Sequence, residues 1–325
     1  MSLNYLKTWS INQKIVASVT LLIFSILLFG AIASFFIQDD LKFLQTDDMG
    51  ERLHELARKK SDNQIDEVGL FKGIQQLILD ADLSILNRWF YVQIGYNLFV
   101  FLGLSLVLIK CFEVKELKSL TFKNKSFLLF LVAFVLAISV PKIGKDATYI
   151  NELIGLDVLQ EFFLGIDDLD DKKSLISQYI LFFPNADRGW IITVIGLALI
   201  PAVGEELMFR GYLMKLISQE SNYHNGIAIS ASIFALVHFN FSNFFYYFVL
   251  GVVMGYVYYW GKNLFFPILI HFVNNALVVF FYYSAISGKF FFEFDSLFIF
   301  LCYILFCLSM LVFYLNFNRN KHIIK

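Results

Sequence analysis

Seven side chains in the second half of this 325-residue chain carry groups capable of chemistry inside otherwise apolar segments. Glu205, Glu206 and Arg210 lie in "LIPAVGEELMFRGYL", residues 199–213. His238 follows the run "IAISASIFALV", and His271, Asn274 and Asn275 lie in "LFFPILIHFVNNALVVF". A carboxylate or an imidazole can move a proton, and an amide can donate or accept a hydrogen bond. Each charge near the middle of a bilayer costs about 2.5–3.5 kcal/mol on insertion scales. Taken singly, each group has a structural explanation. A membrane histidine or an Asn pair can be a helix–helix hydrogen bond, and Glu206 and Arg210 can neutralise one another. Concentrated in three neighbouring segments, they point to a functional site.

Helical geometry sorts the two glutamates. Adjacent residues point about 100° apart. Glu206 and Arg210 are i, i+4 neighbours and can pair on one face, so loss of Glu206 would strand a cation. Glu205 has Phe209 at i+4 and no cation on its face. It is free to face a cavity, as a general base must. His271 and Asn275 share a face in the same way, and Asn274, at i+3, stays open as an alternative. Pro201 removes a helical hydrogen bond just before Glu205 and is expected to bend the helix there.

The elements that hold these residues read as membrane helices. Apolar residues make up 58% and aromatics 18% of the chain, with 39 Phe and only 4 Pro, and mean hydropathy is +0.66. Soluble domains run at about 45–50% apolar. The expected fold is all-α: a polytopic helical membrane protein with about eight spans, at 15–37, 90–109, 126–141, 189–217, 225–240, 244–260, 264–284 and 294–317. "AIAS", residues 31–34, resembles a signal-peptidase site. The apolar run continues past it, which favours an uncleaved helix.

The chain is expected to divide into 1–188, membrane helices with acidic external loops and no assigned function; 189–284, the core that carries these polar side chains; and 285–325, a last span and basic tail. Lys110, Lys115, Lys118, Lys123 and Lys125 mark the second connection as cytoplasmic by the positive-inside rule. Both termini are then cytoplasmic, in agreement with Lys7 and Lys14 at one end and Arg319, Lys321 and Lys325 at the other. The plasma membrane is the expected location. With about 1.5 Å of rise per residue, Glu205, His238 and Asn275 fall about 18–20 Å from the cytoplasmic helix ends and His271 about 12 Å, so the four can share one layer.

Outside the spans, "ERLHELARKKSDNQIDEVGLFKGIQQLIL" is expected to be helical. "INELIGLDVLQEFF" spaces Ile150, Leu153, Ile154, Val158 and Leu159 as an interfacial amphipathic helix. "DDLDD", residues 167–171, lacks the ligand spacing and glycine of a calcium loop and reads as a solvated acidic turn. "GVVMG", Gly251–Gly255, suits close helix packing, and "YVYYWGKN", Tyr256–Asn263, an aromatic interface belt. His54, His224 and His322 read as solvated. Cys111, Cys302 and Cys307 read as buried thiols. A formal net charge of −1 with no basic tract points to no nucleic-acid partner. The expected partner of such spans is the lipid bilayer.

"EELMFR", "FALVH" and "HFVNN" resemble, in order and approximate spacing, the Glu-Glu-x-x-x-Arg, Phe-x-x-x-His and His-x-x-x-Asn motifs of the CAAX-protease and bacteriocin-processing (CPBP, or Abi) intramembrane proteases. The resemblance covers residues 189–284. It implies an all-α membrane endopeptidase with a water-filled cavity and a membrane-associated peptide or protein substrate. Glu205 would activate a water with His238 beside it, His271 and Asn275 would stabilise the oxyanion, and Glu206 and Arg210 would organise the site. The family is commonly labelled metalloprotease. If zinc is used, Glu205, His238 and His271 are the candidate ligands, but there is no His-Glu-x-x-His helix, and the resemblance also supports a metal-free reaction. No cofactor is firmly expected. Two other classes would use the same residues differently. A proton-coupled transporter would relay protons through Glu205 and His238, and a non-catalytic scaffold of the same fold would be expected to carry damaged motifs. No internal repeat supports the first, and the intact motifs speak against the second.

Overall fold

The structure, a computed structural model, describes residues 6–36, 48–80, 83–112, 127–156, 189–286 and 296–321. Its regular elements are all helical. In chain order they are α1 (Ile11–Phe36), α2 (Asp48–Ser61), α3 (Glu67–Asp80), α4 (Leu83–Tyr96), a π-helical segment Asn97–Gly103 and α5 (Leu104–Phe112). Next come α6 (Phe127–Ile154), α7 (Gly189–Val194), a π-helical segment Ile195–Leu199, α8 (Ile200–Glu206), a second one Leu207–Leu213 and α9 (Met214–Glu220). The last are α10 (Tyr223–Leu236), a single 3₁₀ turn Phe241–Asn243, α11 (Phe244–Gly261), α12 (Phe265–Ile286) and α13 (Ser296–Lys321).

The chain is an all-α polytopic membrane protein. Among the described residues, six stretches are long and apolar enough to cross a bilayer: Ile11–Phe35, Asn87–Phe112, Phe127–Asn151, Gly189–Glu220, Phe241–Gly261 and Phe298–Arg319. The remaining two expected spans are helices as well, but shorter in their apolar part. One is α10, with 14 residues; the other is the Phe265–Phe281 portion of α12. Side chains such as Phe24, Leu27 and Phe35 on α1 and Phe300, Leu308 and Leu315 on α13 stand exposed on the outside. In water that would be an aggregation surface; for a membrane protein it is the lipid face.

The third span differs most from its expected bounds. The sequence places its end at 141, where charges begin, yet α6 runs on through Pro141 to Ile154. Lys142 and Asp146 neutralise each other one helical turn apart, and Asp146 also accepts from the Tyr303 hydroxyl of α13. Paired charges therefore stay within the helix. Residues 150–154 of the expected amphipathic helix belong to the end of α6, Gly155 breaks away at φ +71°, and residues 157–163 lie outside the described residues, as do "DDLDD" and His322. The segment 48–80 is helical as expected, in two pieces that pack on each other. All three cysteines are free; Cys302 is buried and Cys111 partly so, but Cys307 is exposed on the outer face of α13, contrary to the expectation of burial.

The interior is aromatic. Phe209 is fully buried between Phe101 and Phe234, with ring centroids at 6.0 and 5.1 Å. Lipid tails are as apolar as these rings, so close packing and interhelical hydrogen bonds hold such helices together. α6 packs against α11, α12 and α13, and α9 against α1. Tyr212 is held to α1 by a 2.6 Å hydrogen bond with Ser18. Helices from the first half thus pack against segment 189–284.

Candidate active site

The helix from Gly189 to Glu220 is not uniformly α. π-helical turns precede and follow the short segment Ile200–Glu206 that carries both glutamates. Pro201 sits at the start of α8 but inside the continuous helix Gly189–Glu220, where its ring and missing N–H interrupt regular helical hydrogen bonding. The wider π turn before it gives the ring room. π turns leave main-chain carbonyls seeking new donors, and the Ser230 hydroxyl of α10 donates to the Phe209 carbonyl at 3.1 Å.

Glu206 is wholly buried. Arg210 Nη1 donates to its Oε1 at 2.7 Å, the i, i+4 pairing that the spacing allows. The same oxygen takes His271 Nδ1 at 2.9 Å. Arg210 Nη2 reaches across to the Gly251 carbonyl of α11 at 2.9 Å, and its guanidinium lies over the Phe234 ring, 4.8 Å from the centroid. The Gly251 contact needs a bare backbone. A Cβ at Gly251 would lie 2.9 Å from Ala231 Cβ and 3.0 Å from Ala231 Cα, and one at Gly255 2.8 Å from Ile227. The "GVVMG" motif therefore seats α11 on α10 in the one register that lets a main-chain carbonyl meet the arginine.

Glu205 is 7% exposed and faces a cavity. Its Oε2 is buried with no hydrogen-bond partner. His271 Nε2 lies 3.8 Å from that oxygen. Because Nδ1 of His271 is committed to Glu206, Nε2 is the only nitrogen it can offer to Glu205. The resemblance set His238 beside Glu205; both line the cavity, but the close approach to Glu205 is made by His271.

His238 does not sit within a helix. α10 ends at Leu236, and 14 residues rise about 21 Å, short of the roughly 30 Å hydrocarbon layer. The chain then turns through Val237–Phe239, with Phe239 at φ +50°. Irregular backbone is tolerated at membrane depth where it lines a polar cavity, and Val237, His238, Phe239, Asn240 and Asn243 all do so. His238 Nδ1 donates to the Phe234 carbonyl at 2.7 Å. Its ring stacks on Tyr247, with centroids 3.9 Å apart and planes within 22°. A neutral imidazole with its proton on Nδ1 offers a lone pair at Nε2.

On α12, Asn274 is buried and Asn275 is partly exposed, and both line the cavity. Tyr246 donates to Asn274 Oδ1 at 2.9 Å. α6 steadies this side: Asn151 Nδ2 donates to the Ser242 carbonyl at 2.7 Å, and Phe245 N–H donates to Asn151 Oδ1 at 3.2 Å. The cavity holds about 660 Å³, and Gln93, Tyr96, Asn97 and Phe101 also line it. Tyr246, Tyr247, Gly251 and Asn151 were not singled out from sequence as site residues. "FFYYF" reads there as one more apolar aromatic run, and only helix packing turns its tyrosines inward.

Among the described residues, no group of three His, Cys, Asp or Glu side chains is placed to hold a metal ion. The zinc set Glu205, His238 and His271 is not assembled as ligands in this arrangement, so the chemistry is derived from the side chains alone. His224, read as solvated, is exposed but shares a 2.9 Å hydrogen bond with the Tyr256 hydroxyl. Lys262 sits over the rings of Tyr223 and Tyr259 at 4.9 and 4.4 Å from their centroids.

Residues 187–277 match the family model described as type II CAAX prenyl endopeptidase Rce1-like. The match takes in every residue named above on α8, α10, α11 and α12 and stops short of α6. The match covers less than a third of the chain and makes this segment similar to the CAAX-type prenyl endopeptidases. No curated protein and no solved structure matches the chain.

Proposed function

We propose that the chain is an intramembrane endopeptidase that hydrolyses a peptide bond in a membrane-associated or lipid-modified peptide or protein. One observation carries this reading. The buried Glu205 carboxylate, whose Oε2 has no hydrogen-bond partner, shares a polar cavity inside apolar helices with two imidazoles and a pair of amides. Burying an ionisable group without a partner is costly, and intramembrane ionisable groups default to function.

In the proposed reaction Glu205 takes a proton from a water molecule, and the resulting hydroxide adds to the scissile carbonyl carbon. Negative charge collects on the carbonyl oxygen, where the Asn275 amide and a protonated His271 Nε2 donate to it. His238, its Nδ1 held by the Phe234 carbonyl, offers Nε2 as a second acceptor that orients the water. The proton held by Glu205 passes to the departing amine, the C–N bond breaks, and a carboxylic acid and an amine leave. Glu206 and Arg210 take no part in bond making. They hold His271 and α8 in register. Both termini are proposed to be cytoplasmic, with the chain in the plasma membrane.

A comparison of peptides in the membranes of cells that make the wild-type or the Glu205→Gln protein tests this. Peptides that accumulate uncut only with Glu205→Gln are expected, and they would identify the substrate. Identical peptide profiles would count against the protease reading.

A further inference from the structure

We propose that Tyr246 is a positioning residue for Asn275, acting through Asn274. The inference rests on the reading of Asn275 as the oxyanion donor. An asparagine amide offers a donor at one end and an acceptor at the other, and only the donor end helps a developing oxyanion. Something must therefore set which way Asn275 points.

Three hydrogen-bonding groups in line do this. The Tyr246 hydroxyl donates to Asn274 Oδ1 at 2.9 Å. With its oxygen taken, Asn274 presents Nδ2, which donates to Asn275 Oδ1 at 3.3 Å. Asn275 then has its acceptor occupied by a neighbour, and Nδ2 is the end left for the cavity it lines. Reversing Asn274 would reverse the whole chain. Its oxygen would face Asn275, draw Nδ2 away from the cavity and leave an acceptor pointing at the oxyanion. Asn274 is only 3% exposed, and among the described residues the phenol is its hydrogen-bond partner from outside α12.

Tyr246 is itself held from α6, outside the segment that matches the family model. A Cβ at Gly144 would lie 2.7 and 2.9 Å from Tyr246 Cδ2 and Cε2. The ring packs closely against the bare backbone of Gly144, and Asn151, two turns further along α6, bonds the backbone of Ser242 and Phe245 just ahead of it. The first half of the chain thereby helps to set the amide that faces the substrate.

The test uses the full chain in lipid nanodiscs, labelled with ¹⁵N-asparagine, and follows the side-chain NH₂ signals of Asn274 and Asn275. Tyr246→Phe, which removes one oxygen, is expected to move both pairs of signals, while Tyr91→Phe, at an exposed tyrosine, leaves them in place. The same proteins are assayed on a fluorogenic peptide with a farnesylated cysteine near its carboxyl end. Tyr246→Phe is expected to lower kcat about tenfold with KM unchanged, less than the roughly 10²–10³-fold for removing an oxyanion donor outright. Asn274→Asp, whose carboxylate can only accept, is expected to lower kcat further. Unmoved Asn275 signals in Tyr246→Phe, or an unchanged kcat, would overturn the proposal. Equal rates for wild type and Glu205→Gln would sink the protease reading instead, and the NH₂ signals would still decide the relay.

Discussion

Glu206 and His271 are joined across two helices by a 2.9 Å hydrogen bond between Oε1 and Nδ1. The bond leaves Nε2 as the free face of His271 and turns it towards Glu205, 3.8 Å away. Glu206 is therefore more than a counter-ion for Arg210: it also sets the side of the imidazole that meets the cavity.

Removing Glu206 should be costly for that reason. Glu206→Ala leaves the Arg210 guanidinium buried with its charge unmatched and frees His271. Breaking a buried pair in this way costs about 3–5 kcal/mol. Thermal unfolding in detergent should show a large drop in midpoint, and a near-normal midpoint would mean that the pair does not matter to the fold.

Gly251→Ala tests the seat of α11 on α10. The new methyl would meet both Cα and Cβ of Ala231, and backbone cannot step aside as a flexible side chain can. Overpacking of this kind costs about 1–3 kcal/mol, and the Arg210 bond to the Gly251 carbonyl should lengthen. Ala231→Gly in the same protein should recover most of the loss, as expected for two residues in direct contact. A double variant no more stable than Gly251→Ala would show that the contact is not the cause.

Tyr247 should govern His238. An aromatic pair contributes about 0.5–1.5 kcal/mol beyond its area, which corresponds to roughly a 2–12-fold change in rate if stacking holds the ring in its working orientation. Tyr247→Leu is expected to slow cleavage by that factor, and Tyr247→Phe by less. Equal rates for the two variants would separate the stacking from catalysis.

Asn151 should matter although it lies on α6, beyond the family match. Asn151→Leu removes both bonds to the backbone at Ser242 and Phe245. Buried polar groups left without partners cost about 1–3 kcal/mol each, so stability and turnover should fall together. Full activity in Asn151→Leu would show that the turn before α11 holds itself.

These cases show which parts of the site can be read from sequence. Glu206 and Arg210 pair within one helix, so the i, i+4 spacing is enough to find them. The bonds from Glu206 to His271, from Arg210 to the Gly251 carbonyl and from Tyr246 to Asn274 cross between helices. Their partners depend on helix rotation and register, which apolar patterning does not encode. The π turns around α8 change backbone hydrogen bonding without changing residue types, so they leave no trace in composition. α6 outran its expected end because Lys142 and Asp146 resemble a boundary one at a time but cancel as a pair. His238 was placed on a helix because the apolar run of α10 continues past the point where the backbone turns.

The most direct test of the account is the rate at which purified Glu205→Gln protein, in nanodiscs, hydrolyses a membrane-anchored peptide that the wild type cuts. The substitution keeps the shape of the side chain and removes its ability to take a proton. A loss of about 10²–10⁴-fold is predicted, with an unfolding midpoint close to that of the wild type, since the substitution removes a buried charge together with its 3.8 Å contact to His271 Nε2. Turnover at the wild-type rate in a folded Glu205→Gln protein would contradict the account.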